Sequence, residues 1–186
     1  FKSNKKEFKK ILEVGGGSTP HIEFLNHSFE EYIIIETSDY AINLNKDSKK
    51  FKVIKYDGKN IPFPDNIFDR IIISHCLEHI NFPEEFIFEM MRVLKKGGIL
   101  SISLPTDPGI TWRLGRLYVK LFKLKHSYKI NSSEFEYLNS IEHVNSVFNL
   151  RSILRYNFKD SLEESFYPLK IKSLDLNLIY NVHIYK

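Results

Sequence analysis

A run of glycines follows the first apolar stretch of the sequence, in the segment 11–18 that reads ILEVGGGS. Glycines at the end of a strand let a ligand approach the backbone, and a helix that begins there adds free N–H groups and the positive end of its dipole. Gly15, Gly16 and Gly17 could therefore cradle a polar or anionic ligand. The pattern alone is equally compatible with a flexible turn that packs tightly between a strand and a helix.

Acidic residues end the next two apolar runs and favour the ligand-binding interpretation. Glu36, followed by Thr37, ends the second run, where a carboxylate can accept hydrogen bonds from the two hydroxyls of a ribose. Asp57 ends the third run and could accept a hydrogen bond from an exocyclic amine, while Gly58 leaves room for a flat base. The three positions together predict a site for a nucleoside-containing cofactor.

Two imidazoles and a carboxylate follow the fourth apolar run, in the segment 74–80 that reads SHCLEHI. A near-neutral imidazole is suited to taking a proton from a hydroxyl, and His79 is the first candidate for that role. The alternative is a histidine that only braces the following turn. His75 and His79 lack the H-E-x-x-H spacing or the acidic cluster that would complete a coordination set, so the sequence predicts no metal site.

A basic and aromatic stretch, TWRLGRLYVKLFKLKH at 111–126, predicts an amphipathic helix with one charged face. Three interpretations compete: a solvated lid helix, recognition of an anionic acceptor by Arg113, Arg116 and Tyr118, and transient contact with an anionic membrane surface. His143, beside Glu142, could face the same acceptor or belong to an ordinary helix start.

The composition indicates a soluble single domain. The chain has 186 residues, 42% of them hydrophobic, and a mild net charge of +4 that is spread along the sequence. A single cysteine, Cys76, cannot form an intrachain disulfide, and no secretory signal or run of about 18 apolar residues is found. We therefore expect a cytoplasmic protein.

Strands and helices alternate along the first hundred residues, which predicts an α/β fold with a mostly parallel sheet and helices on both faces. A C-terminal antiparallel hairpin raises the predicted sheet to seven strands. The predicted strands are Ile11–Val14, Tyr32–Ile35, Phe51–Ile54, Arg70–Ser74, Ile99–Leu104, Ser165–Ile171 and Asp175–Tyr185. The predicted helices are Pro20–His27, Asp39–Asn45, Pro83–Leu94 and a helix within 143–157, in addition to the basic one. We divide the single domain into a core at 8–106, a helical insert at 107–150 and a hairpin region at 151–186.

Four of these segments together resemble class I S-adenosylmethionine-dependent methyltransferases with a Rossmann-like fold. They are ILEVGGGS, the acid Glu36, YDGKNIPFPDNIFDRIIISHCLEHI at 56–80 and RVLKKGGILSISLP at 92–105, and they cover about residues 8–106. The resemblance implies S-adenosylmethionine as cofactor, and it implies a role for each matching residue. Glu13, Gly15 and Gly17 would line its methionine and ribose, Glu36 would hold the ribose diol, Asp57 the adenine amino group, and His75 would lie close to the sulfonium.

One departure from the family pattern is the pair Thr19-Pro20, because the family usually has a third glycine where Thr19 stands. Thr19 is a good N-cap and Pro20 a good first helical residue, so the pair can start a helix without a left-handed glycine. A nicotinamide dinucleotide fits less well, because its fingerprint needs a glycine at position 20. A relative that has lost its activity is the main alternative that this departure raises.

From the resemblance and the insert we expect methyl transfer to a small molecule, with a hydroxyl of a sugar or surface-glycan precursor as the acceptor. The basic insert leaves both a neutral and an anionic acceptor open. An RNA, lipid or quinone methyltransferase is the alternative enzyme, and a cofactor-binding protein without transfer activity is the alternative outside enzymes. No dense basic patch is present, so we expect no stable nucleic-acid partner.

Overall fold

The computed structural model of the chain describes residues 7–18, 20–121, 137 and 140–186. Its centre is a seven-stranded sheet with the strand order β3-β2-β1-β4-β5-β7-β6. The strands are β1 Glu7–Val14, β2 Ser28–Glu36, β3 Lys52–Lys55, β4 Phe68–Ser74, β5 Leu94–Pro105, β6 Leu162–Tyr167 and β7 Ile179–Tyr185. Strands β1 to β5 are parallel, and β7 runs antiparallel to both β5 and β6. This sheet confirms the predicted fold class.

Helices cover one face of the sheet more thickly than the other. The α-helices are α1 Asp39–Asn45, α2 Pro83–Val93, α3 Ile110–Leu121 and α4 Val147–Phe158. Helices α2 and α4 bury their apolar stripes in the larger core, which also holds Leu12, Ile71 and Leu100 of the sheet. The other face is buried in a smaller cluster around Ile11 and Tyr32, against which Ile22, Leu25 and Phe51 pack.

The segment after the glycine turn differs from the prediction. A 3₁₀ helix at His21–Phe24 replaces the predicted α-helix Pro20–His27, and Pro20 precedes it with an extended backbone. Strand β2 begins at Ser28, four residues before the predicted start, so little chain remains for a helix. The early part of β2 alternates exposed and half-buried residues, whereas the prediction followed only its continuous apolar part. Thr19 lies outside the described residues.

The C-terminal antiparallel hairpin is present as predicted, but its two strands begin and end at other residues than the predicted ones. Strand β6 ends at Tyr167, because Pro168 has no N–H to donate to the ladder. The connection between β6 and β7 is held by the buried side chain of Asn177. This side chain accepts a hydrogen bond from the N–H of Leu169 at 2.9 Å and donates one to the carbonyl of Ser173 at 2.8 Å. This connection is longer than the three residues that the sequence suggested.

The start of the fifth strand was also predicted wrongly. Strand β5 starts directly after α2, and Gly97, at φ +75°, forms part of an irregularity inside the strand instead of a linker before it. Helix α3 is described to Leu121, and the rest of the predicted basic helix, from residue 122, lies outside the described residues. Among the described helices, none combines the length and the apolar composition that crossing a bilayer requires.

Candidate active site

The glycine turn joins β1 to the 3₁₀ helix at the carboxyl edge of the parallel strands. Gly15 and Gly17 have φ angles of +68° and +55°, a region that non-glycine residues rarely adopt. A Cβ at Gly15 would lie 2.8 Å from Sγ of Cys76, and one at Gly16 would lie 2.9 Å from Cγ2 of Ile34. At Gly17 the same atom would meet nothing within 4 Å. The first two glycines are therefore required by packing, and Gly17 borders the open space that a ligand can enter.

Glu36 holds this turn in place from the end of β2. Its carboxylate accepts hydrogen bonds from the backbone N–H groups of Gly17 at 3.0 Å, Thr37 at 2.8 Å and Ser38 at 3.0 Å. The residue is 7% exposed. A carboxylate offers about four acceptor positions, so these three bonds leave room for about one further donor. That donor fits one ribose hydroxyl, whereas the sequence suggested a bond to each of two.

Asp57 lies at the neighbouring strand end, because β2 and β3 are paired in parallel and the N–H of Tyr56 donates to the carbonyl of Glu36 at 3.1 Å. The Asp57 carboxylate is exposed and accepts from the N–H groups of Asn60 and Lys59, each at 2.8 Å. These bonds to Asn60 and Lys59 lower the pKa of Asp57. Gly58 adopts φ +81°. The loop thus presents an exposed carboxylate beside a residue without a side chain, and the predicted contact with adenine stays a prediction.

Glu13 lies on the other side of the turn and is 2% exposed. Its carboxylate accepts from the hydroxyl of Tyr32 at 2.6 Å and from the N–H of His21 at 3.0 Å. Burial and the Glu13 charge raise the pKa of Tyr32 well above its usual value. Glu13 therefore fixes the start of the 3₁₀ helix, whereas the sequence predicted that Thr19-Pro20 would start a helix here. Its predicted contact with the cofactor stays a prediction.

His75 follows β4 and adopts φ +49°, an uncommon conformation for a residue other than glycine. Its N–H donates to the carbonyl of Ser103 at 3.0 Å, which holds the end of β4 against β5. Desolvation lowers the pKa of His75, and the imidazoles of His21, His143 and His79 lower it further. An uncharged imidazole is compatible with a neighbouring sulfonium, as the resemblance implies.

His79 is oriented by the segment that precedes α4. Its Nδ1 lies 2.8 Å from the carbonyl oxygen of Glu142, and since a carbonyl only accepts, Nδ1 carries the proton and Nε2 a lone pair. Asn145 holds the same two segments together. Its backbone N–H donates to the carbonyl of Glu78 at 3.1 Å, and its side-chain amide donates to the carbonyl of Ile80 at 2.6 Å. This contact is with a segment 63 residues away and not with the following turn, which the alternative role concerned, and it leaves Nε2 available to take a proton.

His143 packs edge to face against His79, with 4.8 Å between the ring centroids. Its Nδ1 lies 3.4 Å from Oδ2 of Asp107, which also pairs with Arg116. Desolvation lowers the pKa of His143, and the His79 imidazole lowers it further. His143, Asp107 and Arg116 are among the residues that line a cleft of about 210 Å³. Arg113 and Tyr118 lie exposed on the same helix as Arg116.

Sequence reasoning missed Asp107. Asp107 follows the fifth strand, and the rule that ligands bind outside the carboxyl ends of parallel strands, already applied to Glu36, Asp57 and His75, could have identified it. Asn145 belongs to the polar segment 142–145, which the sequence suggested could face the acceptor, but its bond to Ile80, 65 positions away, could not be predicted from the sequence.

About half of the chain matches a known protein family. The methyltransferase-domain family matches residues 12–102. The ubiquinone/menaquinone biosynthesis C-methyltransferase UbiE of Vibrio cholerae is 28% identical over 120 residues, which are 59% of this chain and 46% of the relative. The corresponding enzyme of Pseudomonas fluorescens is 26% identical over 53% of this chain and 43% of its own length. The chain spans about half the length of these curated relatives.

Solved structures share the fold at low sequence identity. An S-adenosylmethionine-dependent methyltransferase of Thermotoga maritima, described as a possible histamine N-methyltransferase, has a TM-score of 0.64 and 18% identity over 98% of this chain and 84% of its own. The plantazolicin methyltransferase BpumL, solved with S-adenosylhomocysteine, has a TM-score of 0.66 and 18% identity over 96% and 76%. The [4+2]-cyclase SpnF has a TM-score of 0.56 and 19% identity over 88% and 53%. The match of residues 12–102 to the methyltransferase-domain family and the shared fold together support a class I S-adenosylmethionine-dependent methyltransferase.

Proposed function

We propose that the chain transfers a methyl group from S-adenosylmethionine to a hydroxyl of a small molecule, with a sugar or surface-glycan precursor as the acceptor class. The observation that carries the proposal is the position of two sets of groups at one edge of the sheet. Gly17 follows β1, Glu36 ends β2, Asp57 follows β3, and His75 and His79 follow β4. The common edge of these adjacent parallel strands supports a site in which the first three residues hold the cofactor beside a proton acceptor.

The cofactor, when bound, supplies a methyl group on a positively charged sulfur. The chain has to hold the acceptor in line with that group and to receive a proton. Gly17, Glu36 and Asp57 would hold the cofactor, which would supply the methyl group to the acceptor oxygen, and Nε2 of His79 would receive the hydroxyl proton. In the neutral ring, the hydrogen bond from His79 Nδ1 to Glu142 selects the tautomer in which Nε2 carries the lone pair that this role needs.

The charge balance of the cleft favours a neutral acceptor. Arg116, the basic side chain among the described residues of the lining apart from His143, is already paired with Asp107, so its charge is not free for a phosphate or a carboxylate. A polyhydroxylated sugar needs only hydrogen-bonding groups, and Asn145 and Ser146 of the lining carry such groups. We therefore prefer a neutral sugar to an acidic sugar as the proposed acceptor.

A quinol ring is the second candidate, because the curated relatives at 26–28% identity are quinone C-methyltransferases. Transfer to a ring carbon also begins with removal of a phenolic proton, so the same His79 would serve. The SpnF fold match gives weight to a third possibility, a chain that binds the cofactor and does other chemistry.

The test is methyl transfer from radiolabelled S-adenosylmethionine to a panel of free, nucleotide-linked and lipid-linked sugars and demethylated quinols. We expect label in an O-methyl group of a sugar, identified by NMR of the product. Label on a quinol ring carbon would show that the acceptor is a quinol and not a sugar. Tight cofactor binding without transfer to either class would contradict the proposed acceptors.

A further inference from the structure

Three side chains beside the proposed acceptor cleft form a group with the composition of a metal site. One ligand atom each from Glu78, His79 and His143 lies within 4.8 Å of the other two. We propose that this group binds a divalent transition-metal cation. The sequence predicted no metal site because Glu78 and His79 are adjacent and His143 is distant along the chain, so no recognisable spacing exists.

The two imidazoles are oriented as metal ligands usually are. In most such sites one ring nitrogen binds the metal and the other donates to a carbonyl or a carboxylate, which fixes the tautomer and the ring. His79 donates from Nδ1 to the Glu142 carbonyl at 2.8 Å, and Nδ1 of His143 faces the Asp107 carboxylate at 3.4 Å. Both Nε2 atoms are then left with a lone pair for a cation.

Glu78 supplies an independent observation. It is 3% exposed, and within the described part of the chain its Oε2 has no hydrogen-bond partner. Its Oε1 lies 4.0 Å from Nε2 of His79. A buried carboxylate oxygen without a partner is costly, because it is held away from water. A cation at this position would remove that cost by giving the buried carboxylate a partner.

The donor set narrows the choice of cation. Two imidazoles and one carboxylate suit zinc, cobalt, manganese or ferrous iron, whereas magnesium and calcium prefer an all-oxygen shell. With metal–ligand bonds of about 2.0–2.2 Å, neighbouring ligands lie about 3–3.5 Å apart, so the most widely separated pair must close by roughly 1.5 Å. His79, an exposed member of the group, would make most of this movement.

Three protein ligands leave coordination positions open, which is the pattern of catalytic sites. This consequence rests on the proposed function: an acceptor hydroxyl bound to the cation would lose its proton to water more readily, and its oxygen would attack the methyl group. His79 would then act as a ligand, and the base role given above would belong to the metal-free protein.

Titration of the whole chain with Co²⁺, followed by visible absorption, tests the proposal without cofactor or acceptor. We expect one Co²⁺ per chain, competition by Zn²⁺ and Mn²⁺, and much weaker competition by Mg²⁺. Because S-adenosylhomocysteine binding is measured separately, failure of the metal site leaves the proposed function standing, and the reverse also holds.

Variants locate the bound cation. His143→Ala should lower Co²⁺ affinity by about 100-fold or more, and Asp107→Asn by about 10- to 100-fold through the orientation of His143. Glu78→Gln keeps the shape of the side chain and should also weaken binding, whereas Glu85→Gln, on the exposed face of α2, should not. If Glu78→Gln does not fold, His143→Ala carries the test alone. Absence of stoichiometric Co²⁺ binding, or wild-type affinity in His143→Ala, would overturn the proposal.

Discussion

Replacing Glu36 by alanine is expected to lower the affinity for S-adenosylhomocysteine by about 100-fold, or about 2.8 kcal/mol. The carboxylate is the common acceptor for the N–H groups of Gly17, Thr37 and Ser38, and it keeps room for one ribose hydroxyl. Alanine removes the ribose contact and leaves three backbone N–H groups without their acceptor. The site therefore loses both a hydrogen bond to the ligand and the bonds that hold the glycine turn in place. Calorimetric titration of wild type and variant measures the change.

Glu30→Ala is the matched control, because Glu30 lies on the same strand and is exposed. It should bind S-adenosylhomocysteine like the wild type. Glu36→Gln keeps the size of the side chain but replaces one carboxylate oxygen by an amide nitrogen. This nitrogen must face a backbone N–H group, so the variant measures the effect of disturbing the turn without removing the side chain. Wild-type affinity in Glu36→Ala, with the fold intact by circular dichroism, would remove Glu36 from the cofactor site.

Removal of the His79 imidazole should reduce kcat by about 10²- to 10⁴-fold, the usual contribution of a positioned proton acceptor. The informative variant is His79→Asn, because the amide of asparagine can still donate to the Glu142 carbonyl while the Nε2 position is lost. Both His79→Ala and His79→Asn should lose turnover, and His79→Asn should keep the melting temperature of the wild type. Once an acceptor is known, single-turnover transfer and a thermal melt check the two statements.

Cofactor affinity distinguishes this effect from a general collapse of the site. Since His79 contacts the segment before α4, and the groups proposed to hold the cofactor follow β1 to β3, affinity for S-adenosylhomocysteine should stay within about twofold of wild type. If His79→Asn retained full turnover, His79 would only brace the turn, which is the alternative that the sequence left open.

The sequence predicted best the features that repeat along it. Continuous apolar runs such as 71–73 are typical of a parallel sheet, and in such a sheet the residue after each run lies at the same edge. The run pattern was therefore enough to place Glu36 and Asp57 side by side, and their two strands are indeed paired.

Features that depend on distant residues could not be predicted in the same way. The cap of the 3₁₀ helix comes from Glu13 instead of Thr19-Pro20, because the carboxylate at the end of β1 turns back to the N–H of His21. His79 and His143 meet only because α4 returns to the sheet beside α2, and nothing local to either residue indicates the contact. Asp107 likewise acquires its role from two partners brought to it by the fold.

A crystal structure of the chain with S-adenosylhomocysteine tests most directly whether these residues form the cofactor site. We predict a ribose hydroxyl within hydrogen-bond distance of Glu36, the adenine amino group near Asp57 and Gly58, and the sulfur facing His75 and His79. A ligand bound instead in the cleft of about 520 Å³ between the 3₁₀ helix and the segment Leu44–Phe51, away from the β4 end, would contradict this assignment.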